Sequence, residues 1–275
     1  MRNQAALAMS ALQLFTPAML AVGIFLLKSI ISPTLGVVPV DMTGQVVIVT
    51  GGNSGCGLET VRMLAGWNAT VIMACRDEKR GEMAAKDVRS SLSPSSKGEV
   101  LVWKLDLESF DSIRTFAQKF RASGMQLNVL INNAGVRYHA LEITQDGIEL
   151  HYQRRMKESV EGVYGDTKLM QVVISREMDR RLSEYGINSY AVHPGEISHL
   201  SAIMLQTFLV LTRPLLARDP MQGAMTQVYA ATSRELEGRG GLYLDNCKVA
   251  TASTLSQDAA LAKWLWNTSM DLISV

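Results

Sequence analysis

The sequence predicts an α/β fold: a doubly wound parallel sheet covered by helices on both faces. Two observations predict it. From Gly44 onward, short β-rich apolar runs alternate with amphipathic stretches of helical length. A glycine-rich loop also lies directly between the first such run and the first helical stretch. A third observation modifies the prediction. The alternation breaks once, after Gln153, where a buried strand is due and none can be drawn.

The elements follow in order. "QVVIVT" ending at Thr50 is a short buried strand, and "GLETVRMLAGW" has helical spacing. "ATVIMAC" is a second strand and "DEKRGEMAAKDVRSSL" a second helix. "EVLVWKLDL" is a third strand, followed by the helix "SFDSIRTFAQKFRAS" with Ser109 or Asp111 near its start. "LNVLINNAG" is a fourth strand, and "TQDGIELHYQ" opens a helix. "VYGDTKLMQVVISREMDRRLSEYG" is a long amphipathic helix and "INSYAVHPG" the next strand. A loop and helix around residues 200–216, a helix from Asp219 to Ser233, the short strand "GLYL" and a final helix from about Gln257 to Leu272 complete the chain.

The 275 residues are 47% hydrophobic, enough for one large domain with a full core. Net charge is +1 and no block of like charge suggests nucleic acid as a partner. The four histidines lack metal-ligand spacing, and Cys56, Cys75 and Cys247 form no CxxC, which fits a reducing compartment without structural disulfides. Asn68-Ala-Thr70 and Asn267-Thr-Ser269 match the glycosylation pattern, but neither lies in an obvious exposed loop. The N-terminus differs from the rest. Residues 3–27 carry no charge, and spanning a bilayer takes roughly 20 apolar residues. Residues 1–40 therefore read as a membrane anchor and linker, and residues 41–275 as the domain that carries the glycine-rich loop. A cleaved signal peptide with Arg2 as its basic end is the alternative.

In "VIVTGGNSGCGLE", Gly51, Gly55 and Gly57 follow a strand and open a helix. Glycine lets the backbone approach a pyrophosphate, and the helix N-terminus offers unpaired N–H groups. The loop predicts dinucleotide binding and a Rossmann-like sheet. An acidic residue at the end of the second strand would select NAD. Here "ACRD" places Arg76 at that position, and a guanidinium suits the 2′-phosphate of NADP. Asp106, after the third strand, is placed to accept from the adenine amino group or to cap the next helix. Tyr164 and Lys168 form the only Tyr-x-x-x-Lys in the chain, one helical turn apart on one face. A phenol has a pKa of about 10, and a neighbouring ammonium lowers it, so Tyr164 can exchange a proton with a substrate oxygen.

The T-G-x-x-x-G-x-G spacing from Thr50 to Gly57, the "NNAG" ending at Gly135 and the Tyr164/Lys168 pair occur in this order. Together they resemble the short-chain dehydrogenase/reductase family. "ACRDEKRGE", "DGIELHYQ", "AVHPG" and "ELEGRGGLYLDNC" resemble its membrane-associated branch of retinol dehydrogenases and WW-domain oxidoreductases. The resemblance implies strand order 3-2-1-4-5-6-7. It implies hydride transfer between NADP, rather than NAD, and a lipophilic alcohol or carbonyl. It implies Tyr164 and Lys168 as catalytic residues, Lys168 also bonding the nicotinamide ribose. The implied cofactor positions are Gly51, Asn53, Ser54, Gly55, Cys56, Gly57, Arg76, Asp106, Leu107, Asn133, Ala134, Gly135, Tyr164, Lys168, Pro194, Gly195 and Ile197. It also implies single-pass attachment to an endoplasmic-reticulum-like membrane and a homodimer.

The sequence departs from the family at one place. The family carries a Ser on its fifth strand and an Asn in the helix before it. Here no Asn lies between Asn133 and Asn188, and the only Ser between Gly135 and Tyr164 is Ser159, five residues before the tyrosine. A contiguous block is missing after Gln153. Three expectations follow: weakened turnover, or a catalytically inactive dinucleotide-binding relative with a regulatory role; a sheet that either closes strand four onto strand six or stays open; and a truncated dimer helix.

Overall fold

The computed structural model describes residues 36–135, 146, 160–194 and 219–273. Residues 1–35 of the expected anchor, the helix opened by "TQDGIELHYQ" apart from Asp146, the junction of Gln153 and Arg154, Gly195, Ile197 and the stretch 200–216 all lie outside these. Among the described residues, no helix is long and apolar enough to cross a membrane.

Strands β1 (Val46–Thr50), β2 (Thr70–Cys75), β3 (Glu99–Lys104) and β4 (Val129–Ile131) form a parallel sheet in the order β3-β2-β1-β4. The crossovers are helices α1 (Gly55–Gly66), α2 (Glu78–Ser91) and α3 (Phe110–Ala122). The alternation of a strand decides what each face meets. Val47, Val49, Val71 and Met73 share one core with Val61 and Leu64 of α1 and Ala85 and Val88 of α2. Ile48, Ile72, Ala74 and Trp103 point the other way and pack on Phe116 of α3. Each fully buried aliphatic side chain contributes roughly 1.5–3 kcal/mol. Trp103 meets Phe116 edge-on, with ring centroids 5.8 Å apart. Lys119 places its ammonium 4.5 Å from the centroid of the Trp103 ring.

The second half is built from α4 (Val160–Leu182), β5 (Tyr190–His193), α5 (Pro220–Thr232), β6 (Leu242–Asp245), β7 (Lys248–Ala250) and α6 (Ala259–Ile273). β5 and β6 are parallel, and β7 returns antiparallel to β6. The sequence shows no separate signal for β7. Its turn places Asn246 and Cys247 both at φ 53°, the left-handed pair of a tight hairpin. The helices begin where the caps fall: Ser109 accepts from Ser112 N–H, and Asp219 and Gln222 form a reciprocal capping box at α5.

Among the described residues, the strands do not form the single sheet of order 3-2-1-4-5-6-7. β5, β6 and β7 make a sheet of their own, and β4 pairs only with β1 among the described strands. On the sequence reading, a block missing after Gln153 accounts for this, in a stretch between β4 and α4 that lies outside the described residues. Leu130, mid-strand in β4, is 48% exposed. Asn128 N–H donates to Val46 O, so by parallel alternation the N–H of Val129 faces away from β1. The two halves are joined by helix packing instead. Val228 of α5 enters the core of the first sheet. On the opposite side, Arg114 of α3 donates to Ile273 O at the end of α6.

Candidate active site

The parallel register places the carboxyl ends of β1, β2 and β3 side by side, with Thr50 opposite Ala74 and Cys75 opposite Lys104. Open α/β sheets bind their ligands along this edge. The glycine loop lies there, between β1 and α1. Gly55 has φ +56° and a Cβ on it would meet nothing within 4 Å, so the space before the helix is open. Gly57 is the reverse case. A Cβ there would lie 2.4 Å from Asn133 Nδ2 and 2.5 Å from Gly51 O, so no side chain fits.

The "NNAG" segment is tied to this loop. Asn133 Nδ2 donates to Thr50 O at 2.9 Å, and Ala134 N–H donates to Thr50 Oγ1 at 3.0 Å. Gln227 Nε2 of α5 donates to Asn133 Oδ1 at 3.0 Å, while Thr60 Oγ1 of α1 donates to Gln227 Oε1 at 3.0 Å. Gln227 and Thr60 belong to the site's framework and no local sequence signal marks them, because the chain of bonds joins elements 94 residues apart. Pro194 arrives through α5 as well. A Cβ on Gly223 would lie 2.5 Å from Cys56 Sγ and 3.8 Å from Pro194 O, so this helix runs tight against both. Burial raises the pKa of the Cys56 thiol, keeping it neutral beside the loop.

Ser54 takes the N-cap position of α1, yet its side chain makes no cap hydrogen bond. Asp77, Ser109 and Asp219 do cap α2, α3 and α5. The first turn of α1 holds no acidic residue either, so its N–H groups and positive dipole end stay available to an anion.

Arg76 and Asp106 stand at this edge, but each already has a partner. Arg76 Nη1 pairs with Glu108 Oε1 at 2.6 Å. Asp106 Oδ1 accepts from Glu108 N–H at 3.1 Å, which makes it a turn-forming residue in this structure. Leu107 between them is 51% exposed. Sequence reasoning did not single out Glu108, since only the tertiary fold sets it opposite Arg76.

Tyr164 and Lys168 both fall in α4, one turn apart. Lys168 Nζ donates to Gln171 Oε1 at 3.0 Å, and partial burial of the ammonium pulls its pKa below the ordinary lysine value. Farther along, Glu177 is nearly buried and takes bonds from Arg180 and Arg181, which hold its carboxyl down to about 2. Arg181 stacks over Trp266 at 4.7 Å, joining α4 to α6.

The family profile described as short chain dehydrogenase matches residues 45–162. Retinol dehydrogenase 12 of Mus musculus is 34% identical, over 86% of this chain and 88% of its own length. The chain belongs to the short-chain dehydrogenase/reductase family. Retinol dehydrogenase 11 of Homo sapiens is 32% identical with the same coverage, and the WW domain-containing oxidoreductase of Danio rerio 32%, over 85% of this chain and 69% of its own. Among solved structures, an uncharacterized protein from Mycobacterium Paratuberculosis superposes with a TM-score of 0.66 at 27% identity, covering 86% of this chain and 96% of its own. The Pseudomonas aeruginosa RhlG/NADP active-site complex shares the fold at a TM-score of 0.54 and 17% identity, over 74% of this chain and 95% of that one.

Proposed function

We propose that this chain binds NADP along the carboxyl edge of its four-stranded sheet and interconverts a lipophilic alcohol and its carbonyl, with turnover below that of its full-length relatives. The observation that carries the binding half is the N-terminus of α1, which lacks a side-chain cap and faces open space at Gly55. A pyrophosphate fits that geometry. Asn53, Ser54 and Cys56 of the glycine loop, Ala134 and Gly135 after β4 and Pro194 after β5 are the positions that would hold the dinucleotide on this reading. Arg76 is the residue for the 2′-phosphate, which favours NADP over NAD. The names of the retinol dehydrogenase relatives support a lipophilic substrate.

Bound NADP supplies the hydride acceptor or donor. The chain's own part is to hold it and to move a proton. The Tyr164 phenol gives a proton to the carbonyl oxygen during reduction and takes it back during alcohol oxidation. The Lys168 ammonium, one turn along α4, favours the phenolate and bonds the ribose. The family's second oxygen-stabilising group, a Ser, has no counterpart. Loss of one such donor lowers rates by about 10²–10³.

A second reading has its own support. The split sheet separates β4 from the half that carries α4, and an error near 1 Å in placing the tyrosine is costly. On this reading the chain binds the dinucleotide without turnover and acts as a regulatory protein. The uncharged stretch of residues 3–27 supports attachment to an endoplasmic-reticulum-like membrane, and a cleaved signal peptide is the alternative. A homodimer would form on a shortened helix surface.

The test is a fluorescence titration with NADPH followed by a turnover assay on all-trans-retinal and a long-chain aldehyde. Binding with slow turnover supports the first reading. Binding with none favours the second. Failure to bind any nicotinamide dinucleotide overturns both.

A further inference from the structure

We propose that Glu108 is a specificity-determining residue that competes with the 2′-phosphate of NADP for Arg76. The chain then discriminates less between NADP and NAD than its arginine alone would dictate. The inference rests on the dinucleotide reading above and deepens it.

The register sets the stage: Cys75 of β2 lies opposite Lys104 of β3, so the residues just beyond each strand face one another. Arg76 follows β2 directly. Beyond β3 the chain turns at 106–109 and is pinned on both sides. Asp106 N–H donates to Ser112 Oγ at 2.9 Å, Glu108 N–H donates to Asp106 Oδ1 at 3.1 Å, and Ser109 caps α3. With its backbone held this way, Glu108 sends its side chain toward Arg76 and closes at 2.6 Å on Nη1. The arginine side chain is 64% exposed and the glutamate 38%, so an incoming anion reaches the pair.

Two consequences follow from charge alone. A phosphate on the 2′-oxygen carries up to two negative charges and must either displace the carboxylate or share the guanidinium with it. Sharing brings like charges together, which is unfavourable. An exposed ion pair is weak, so displacement is attainable and NADP still binds, at reduced affinity. The unphosphorylated ribose of NAD meets the opposite condition. Its 2′-hydroxyl is a donor, and a carboxylate accepts from it. The acidic residue that selects NAD by ending the second strand is replaced in that position by Arg76, and Glu108 brings a carboxylate back from the next strand's loop.

The test uses the full chain in detergent micelles, titrated with NADPH and with NADH by fluorescence. The proteins compared are wild type, Glu108→Gln, Glu108→Ala, Arg76→Ala and the double variant Arg76→Ala/Glu108→Ala. Both residues are exposed, and unchanged thermal melts verify that each variant folds. Each Glu108 variant tightens NADPH about three- to tenfold and leaves NADH equal or weaker. In the Arg76→Ala background the gain from Glu108→Ala falls below about twofold, since the competition acts through the arginine. An unchanged NADPH/NADH ratio in both Glu108 variants, with wild type binding normally, overturns the proposal alone. An equal gain without Arg76 also overturns it. If wild type binds neither dinucleotide, the dinucleotide reading fails and takes this proposal with it.

Discussion

Asn133 ties the end of β4 to the end of β1: its Nδ2 donates to Thr50 O at 2.9 Å, and its Oδ1 accepts from Gln227 Nε2 at 3.0 Å. One amide thus bonds the glycine loop's strand and the α5 helix together. Asn133→Ala leaves Gln227 and Thr50 O without these partners. We expect a loss of about 1–3 kcal/mol in a thermal or urea melt, with weaker NADPH binding in the same protein.

Gly57→Ala abolishes dinucleotide binding or destabilises the fold, since the new methyl would lie on Asn133 Nδ2 and Gly51 O. Gly66→Ala, at the end of the same helix, is the control. A Cβ there meets nothing within 4 Å, and the change is neutral or stabilises by up to about 1 kcal/mol. Melts and NADPH titrations of the two variants check this.

Tyr164→Phe removes the proposed proton donor and leaves the glycine loop untouched. Turnover of a lipophilic aldehyde falls at least about 10²-fold while the NADPH Kd stays within about twofold. Equal turnover in wild type and variant would show that Tyr164 carries no chemistry.

Glu177 governs an acid-sensitive part of the stability. Its folded carboxyl is held at about 2, against 4.5 ordinarily, first by the bonds from Arg180. A depressed carboxylate pKa contributes stability above the unfolded value and loses it as pH falls toward the folded one. Arg180 is 65% exposed, so solvent screens part of the effect, and we expect about 1–2 kcal/mol. Melts of wild type therefore weaken between about pH 5 and pH 2, and Glu177→Gln flattens that slope while lowering stability at pH 7.

Inserting at the Gln153–Arg154 junction a segment with the fifth strand and Ser that the family resemblance implies would supply β4 with a second strand partner and the proposed site with a further oxygen-stabilising group. We expect turnover to rise about 10²–10³-fold with little change in NADPH affinity. Hydrogen exchange at Val129 N–H should slow in the same chimera, as its open edge becomes paired.

Much of the fold was readable from local signals. The runs around Val46–Thr50, Thr70–Cys75 and Glu99–Lys104 are buried strands, and Ser109 and Asp219 stand at helix starts as expected. Asn68 matches a glycosylation pattern but is a structural residue. It sits at φ 74°, donates to Asp41 and accepts from Lys97 N–H. β7 was unreadable because three residues, two of them exposed, carry too little periodicity.

The sequence by itself determined the family, the alternating scheme, the glycine loop and the Tyr164/Lys168 pair, because each is a short-range pattern of residue type and spacing. It also showed where the family's alternation breaks, after Gln153, where no four-residue apolar run marks a strand. Only the tertiary structure decided that β4 and β5 fall in separate sheets among the described strands, that Gln227 braces Asn133, and that Glu108 closes on Arg76. Those outcomes join residues 94 and 32 positions apart for the two contacts. No local period encodes them, because such partners are selected by packing and strand register once the helices have docked.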